Sequence, residues 1–229
     1  TLDTTSPLHG VVTTEEFKKL ANLRSASLDL DCVYGFGPEA SPHLYDPSQH
    51  GRLLVGSDVD GIVNPDDVPR NQDGRALIGD PRNDENLFVS QLQLAFLRFH
   101  NRRLATSSFE QAQKETRYCY QSIVLYDFLK RICDPEVYEF ALPKIEAEAL
   151  KPEEEEKDYP FFVGVDPCGR VCIPVEFSVA AYRFGHSLVR SAYPVNRDYP
   201  MVELFDERFG TLGFGQVPRE LVVDWRFLV

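Results

Sequence analysis

Arginine, aspartate and glutamate crowd together in Gly79-Asp80-Pro81-Arg82-Asn83-Asp84-Glu85-Asn86. A guanidinium stays protonated at any ordinary pH, so Arg82 could stabilise negative charge developing on a bound group, with Glu85 supplying a carboxylate nearby. The same residues also have a purely structural reading: acidic side chains favour a helix N-terminus, and Arg82 could pair with one of them. A second candidate is His186, set among Ala180, Ala181, Gly185 and Ser187. Imidazole is a common metal ligand, and small neighbours let something large and planar approach a helix closely. Gly185 costs about 1 kcal/mol relative to alanine inside a helix, which such packing would offset. A lone histidine on a helix is more often a satisfied core residue. The third candidate is Arg24-Ser25-Ala26-Ser27-Leu28-Asp29-Leu30-Asp31. If extended, it places the oxygens of Ser25, Ser27, Asp29 and Asp31 on one side, a set that suits a hard cation. An ordinary half-buried strand with a polar outer face has the same pattern.

These residues need elements to hold them. Gly79 and Pro81 punctuate a turn, and a long helix is expected from Glu85 to about Arg102 or Arg103, with Leu87, Leu94, Phe96 and Leu97 apolar and Asn83 or Asp84 as the cap. His100, in its last turn, reads as structural. Before it, residues 36–80 are loop-like, and a long irregular segment tends to line a functional site. His43 and His50 lie there among turn residues and read as surface histidines. Thr13 or Thr14 can cap a short N-terminal helix. Ser108-Phe109-Glu110-Gln111 is a capping box opening a helix toward Cys133, and Asp134-Pro135 ends it and starts a short one. Glu153 to Glu156 mark a solvated acidic loop. Pro174 opens the helix that carries His186. From Tyr193 onward the chain is mixed loop, with a hint of helix at Trp225.

The chain has 229 residues, enough for one sizeable core, and nothing demands more than a single domain over 1–229. A formal charge of -12 argues against nucleic-acid phosphates or anionic membranes as partners. No apolar run approaches a membrane span. The five cysteines, Cys32, Cys119, Cys133, Cys168 and Cys172, read as ordinary thiols; Cys168 and Cys172 could pair or bind metal, but they have no zinc-site partner elsewhere.

The Asp-x-Arg-x-x-Glu of Asp80 to Glu85, followed by a helix ending Phe96-Leu97-Arg98-Phe99-His100-Asn101-Arg102, resembles the animal-type haem peroxidases of the peroxidase–cyclooxygenase superfamily. Glu176-Phe177-Ser178-Val179-Ala180-Ala181-Tyr182-Arg183-Phe184-Gly185-His186-Ser187 resembles that family's proximal haem helix. Leu28-Asp29-Leu30-Asp31-Cys32-Val33-Tyr34-Gly35 resembles its calcium-binding segment. The three stand in the family's order and span most of the chain.

The resemblance implies a mainly α-helical domain with little sheet, holding haem b between the turn at Arg82 and the helix of His186. It implies a peroxidase that uses hydrogen peroxide to oxidise halides or small organic electron donors. By the same resemblance His186 is the proximal iron ligand, Arg183 contacts the haem propionates and Arg82 stabilises charge on the distal side. Glu85 matches the carboxylate that in some members is esterified to a haem methyl, or it could be a hydrogen-bond acceptor. Asn86 stands where some relatives carry a haem-bonded methionine, so a sulfonium link is not expected. Calcium is expected on Ser25, Ser27, Asp29 and Asp31. The family's distal Asp-His-Asp is absent; Thr1-Leu2-Asp3 looks like the residues that follow it, and the asparagine partner of the proximal histidine lies well downstream. The chain is therefore expected to be a fragment of a longer peroxidase. A fatty-acid dioxygenase of the superfamily would carry its radical tyrosine three residues before the proximal histidine, where this chain has Arg183, and Tyr182 is one residue too early. A non-catalytic haem- or calcium-binding module is the remaining alternative.

Overall fold

Asn86 opens the longest helix among the described residues. Its backbone is extended, and its Oδ1 accepts the Val89 N–H at 3.1 Å, so the cap falls one turn later than Asn83 or Asp84. The computed structural model describes residues 28–58, 64–149, 164–165, 171–172, 177–207 and 211–228. Among these, helices and helical turns dominate: α1 (Asp31–Tyr34), α2 (Leu87–Leu104), α3 (Phe109–Ser122), α4 (Leu129–Ile132) and α5 (Pro135–Ala149). Strands are confined to four two-residue pieces, β1 (Gly164–Val165), β2 (Val171–Cys172), β3 (Ala192–Tyr193) and β4 (Val202–Glu203), in two antiparallel pairs. The fold is mainly α, as the sequence implies.

The chain divides into two compact units, one of Thr1–Asp29 with Cys119–Leu188 and one of Leu30–Tyr118 with Val189–Val229. In the second unit, Leu87 at the head of α2 packs into a cluster with Val195, Val202, Val217, Leu221 and Val223. At the other end of α2, His100 is completely buried beside Tyr34, and Phe109 meets Tyr34, Tyr45, His50 and His100 edge-on. Asn101 clamps the irregular 36–80 segment, its side chain accepting from Leu53 N at 2.9 Å and donating to Leu53 O at 2.7 Å. His43 and His50 are exposed, as expected of them. A 3-10 turn at Trp225–Phe227 supplies the expected helical hint near the end.

Within the first unit, Ile123–Phe128 continue α3 as a π-helical turn before α4. Half of the expected capping box at the start of α3 is present: Ser108 Oγ accepts from Gln111 N at 3.3 Å, while the Gln111 side chain turns to Glu115 instead. Asp134 caps α5 through the Glu136 and Val137 amides. That helix runs fifteen residues rather than being short, and accommodates Pro143 in its interior. The N-terminal helix at Thr13 or Thr14, the acidic Glu153 to Glu156 and the start at Pro174 lie outside the described residues.

Two local corrections concern the candidate sites. Leu28 to Asp31 do not continue as an alternating strand, because Leu30 adopts a left-handed φ of 58° and its carbonyl accepts from Val33 and Tyr34, turning the chain into α1 at Asp31. The segment carrying His186 is a π turn over Phe177–Ala181 and then a 3-10 helix over Tyr182–Leu188, rather than one continuous α-helix.

Candidate functional site

Asp80 sits extended before Pro81, as a residue preceding proline must, and starts a 3-10 turn over Pro81–Asp84. Its Oδ1 caps the turn by accepting from Arg82 N at 3.0 Å. The same carboxylate takes the Arg82 side chain in a fork: Nε lies 3.0 and 3.1 Å from the two oxygens and Nη2 lies 2.6 Å from Oδ2. Arg82 therefore pairs with the residue before the proline, not with Asp84 or Glu85. Its side chain keeps 35% of its exposure while that of Asp80 keeps 8%, so a largely buried carboxylate anchors a part-exposed cation. Glu85 ends the turn, its amide bonded to Arg82 O at 3.2 Å, and is exposed. Arg82 and Glu85 thus share one turn.

Asp84 is held by a partner that local sequence reasoning missed. Arg70, 1% exposed, donates from Nη1 and Nη2 to the two Asp84 oxygens at 2.7 Å each. Its other edge engages Asp67, from Nε at 2.8 Å and Nη2 at 3.1 Å, and Nη1 also donates to Gly74 O. Asp67 in turn accepts the amides of Val68 at 2.7 Å and Val217 at 2.9 Å. Burial by itself would lower the pKa of the Arg70 guanidinium, but the hydrogen bonds it donates to Asp84 and Asp67 outweigh this, so Arg70 stays charged. Burial pushes the Asp84 carboxyl upward, opposed by its two bonds to Arg70. A spacing of Asp67 to Arg70 followed by a second carboxylate at Asp84 was the available signal, but the partners are fourteen residues apart across a loop.

The backbone of the turn is enclosed as well. Phe214 N donates to Asp84 O at 2.7 Å, and a Cβ on Gly213, whose φ is +77°, would lie 2.2 Å from that same oxygen. On the opposite side Gly79 N donates to Cys32 O, which Gln93 Nε2 also reaches at 3.0 Å, while Gln93 Oε1 accepts from Asn83. A Cβ on Gly79 would come within 2.5 Å of Asp31 O, so α1 and the Arg82 turn lie in backbone contact. Burial, and then the charge of Asp31, push the Cys32 thiol up to about 11. Burial likewise pushes the Tyr34 hydroxyl up to about 12 and His100 down.

Asp29 and Asp31 are both half-buried, and Ser25 and Ser27 lie outside the described residues. Among the described residues no cluster of three or more histidine, cysteine or acidic side chains is arranged to hold a metal ion. In the other unit, His186 is exposed and bends back within its 3-10 turn, placing Nδ1 2.9 Å from Arg183 O. A carbonyl only accepts, so Nδ1 carries a proton, and in the neutral ring Nε2 is the nitrogen with the lone pair. A Cβ built on neighbouring Gly185 would meet nothing within 4 Å. A protonated Nδ1 and open space around Gly185 are compatible with Nε2 acting as an axial haem ligand.

Residues 9–208 match the family model of the animal haem peroxidases. A peroxidase-like protein of Margaritifera margaritifera is 28% identical over 192 residues, covering 75% of this chain and 22% of its own length. The chain thus spans about a fifth of that curated relative.

Proposed function

We propose, since the chain belongs to the animal haem peroxidase family, that it carries the haem-binding and peroxide-handling residues of a peroxidase oxidising halides or small organic donors. Bound haem would supply a redox-active iron able to take up the oxidising equivalents of hydrogen peroxide. The observation that supports the reading is the His186 turn: with Nδ1 bonded to Arg183 O, Nε2 would be the nitrogen that binds the metal. Arg183 would meet the haem propionates with its side chain while its carbonyl orients the imidazole.

Cleaving the peroxide O–O bond leaves negative charge on the departing oxygen. Arg82, held in a fixed direction by Asp80, would stabilise that charge without having to reorient during the reaction. Glu85, exposed at the end of the same turn, would serve as a hydrogen-bond acceptor beside the haem, or form an ester with a haem methyl, with hydrogen peroxide taking the two electrons lost from the methyl and leaving as water. Calcium would bind Ser25, Ser27, Asp29 and Asp31, neutralising the carboxylates at the start of α1.

Haem titration followed by absorption spectroscopy tests this. The wild-type chain is expected to give a Soret band shifted from that of free haem. His186→Ala should lose the shift, and added imidazole should restore it. Identical spectra for wild type and variant would remove His186 as the ligand and with it the assignment of the remaining haem residues. Metal analysis after dialysis should find about one calcium per chain, lost in a Ser27→Ala, Asp29→Asn double variant; a calcium-free wild-type chain would dismiss the cation site.

A further inference from the structure

Arg82 and Glu85 project from a turn only four residues long, and a 3-10 turn has little rigidity of its own. What fixes it is the residue between them in the chain. Asp84 is 3% exposed, and its carboxylate is taken in a fork by Arg70 while its carbonyl takes the Phe214 amide. Arg70 is itself immobilised from behind by Asp67, and Asp67 is fixed by the Val68 and Val217 amides. Every member of this buried set has its hydrogen bonds satisfied by named partners, so it has one arrangement rather than several. The set joins three segments, 64–70, 80–85 and 211–217, and through Asp84 it is continuous with the turn bearing Arg82 and Glu85. An arginine fork is directional in a way that a lysine ammonium is not.

We propose that Arg70 is a positioning residue, which acts through Asp84 to hold Arg82 and Glu85 in the geometry needed to receive peroxide. This rests on the assignment of Arg82 as the charge-stabilising group. Arg70 itself is shut away from solvent and touches no reacting atom, so its influence reaches the reaction only through the turn.

The test uses the haem-loaded chain and a double-mutant cycle, with amide hydrogen exchange as a readout independent of turnover. Asp84→Asn keeps the shape and leaves Arg70 paired with Asp67. It is expected to speed exchange at least tenfold in peptides covering residues 81–85 and leave the middle of α2 unchanged. It should also slow the bimolecular reaction with hydrogen peroxide by roughly 10- to 100-fold. In an Arg82→Ala background the same substitution should have almost no further effect on that rate, because the group being positioned is gone. Arg70→Lys, which keeps the buried charge and loses the fork, should show a smaller change of the same kind and serves if Asp84→Asn fails to fold. Undiminished rate loss in the Arg82→Ala background, or unchanged exchange at 81–85, would overturn the proposal. Faster exchange at 81–85 with no rate effect from Arg82→Ala would instead overturn the assignment of Arg82 and leave Arg70 as a structural anchor.

Discussion

His100 has both ring nitrogens committed: Nε2 lies 3.0 Å from Gly51 O and Nδ1 lies 3.1 Å from Tyr34 Oη. Gly51 O can only accept, so Nε2 donates and the neutral ring accepts from Tyr34 at Nδ1. Protonation would add a charge in a buried site and remove that acceptor. Burial accordingly holds its pKa below the ordinary value. The folded protein then binds fewer protons than the unfolded chain, so stability is complete above about pH 6.5 and falls as pH is lowered through the window beneath it. Chemical denaturation at pH 7.5 and 5.5 should show this loss, and His100→Gln, although about 1–3 kcal/mol less stable at neutral pH, should show a shallower one. A parallel expectation concerns Cys32: with its thiol pushed up to about 11, alkylation by iodoacetamide at pH 8 should be far slower than at an unperturbed thiol, as read by peptide mass spectrometry.

At the scale of elements, the Arg82 turn and α2 depend on different devices. Asn86→Ala removes the side-chain acceptor for Val89 N and should cost about 1 kcal/mol in denaturant unfolding, without changing the pairing of Arg82 with Asp80. Gly213→Ala should be worse, since the added Cβ would meet Asp84 and Glu85 backbone atoms and the φ of +77° disfavours any other residue. A thermal melt would rank the two.

Much of α2 was legible because its apolar residues and its length are local signals, and the same holds for the Ser108 start and the Asp134-Pro135 punctuation. The cap was placed too early because Asn83 and Asp84 are good cap residues in isolation. In the fold Asn83 is spent on Gln93 and Asp84 on Arg70, leaving Asn86 to cap. The conditional reading of an extended run through Asp31 does not hold, for a similar reason. Alternation says nothing about Leu30, whose left-handed conformation is sustained by burial and by the α1 hydrogen bonds. Family wording, rather than periodicity, singled out Arg82 and His186; composition could not have found Arg70, because its second carboxylate, Asp84, lies fourteen residues further along the chain.

For the molecule as a whole, the second unit is discontinuous. Five of the six residues in the Leu87 cluster come from the chain after residue 188, and Asn64 and Asp67 bond to Val217 across 153 and 150 positions. Deleting everything after Leu188 should therefore abolish cooperative unfolding of the 30–118 region, as followed by hydrogen exchange in α2, rather than merely trimming a tail.

That distant closure also sets a clock. Ribosomes add about 5–20 residues per second, so Asp67 would wait on the order of ten seconds for Val217 to be made. Throughout that interval Asp67 would lack the Val217 amide, and the head of α2 would have almost none of its apolar cover. A nascent chain in this condition invites holding chaperones, and pausing introduced downstream of α2 should lower the soluble yield even though the finished sequence is unchanged.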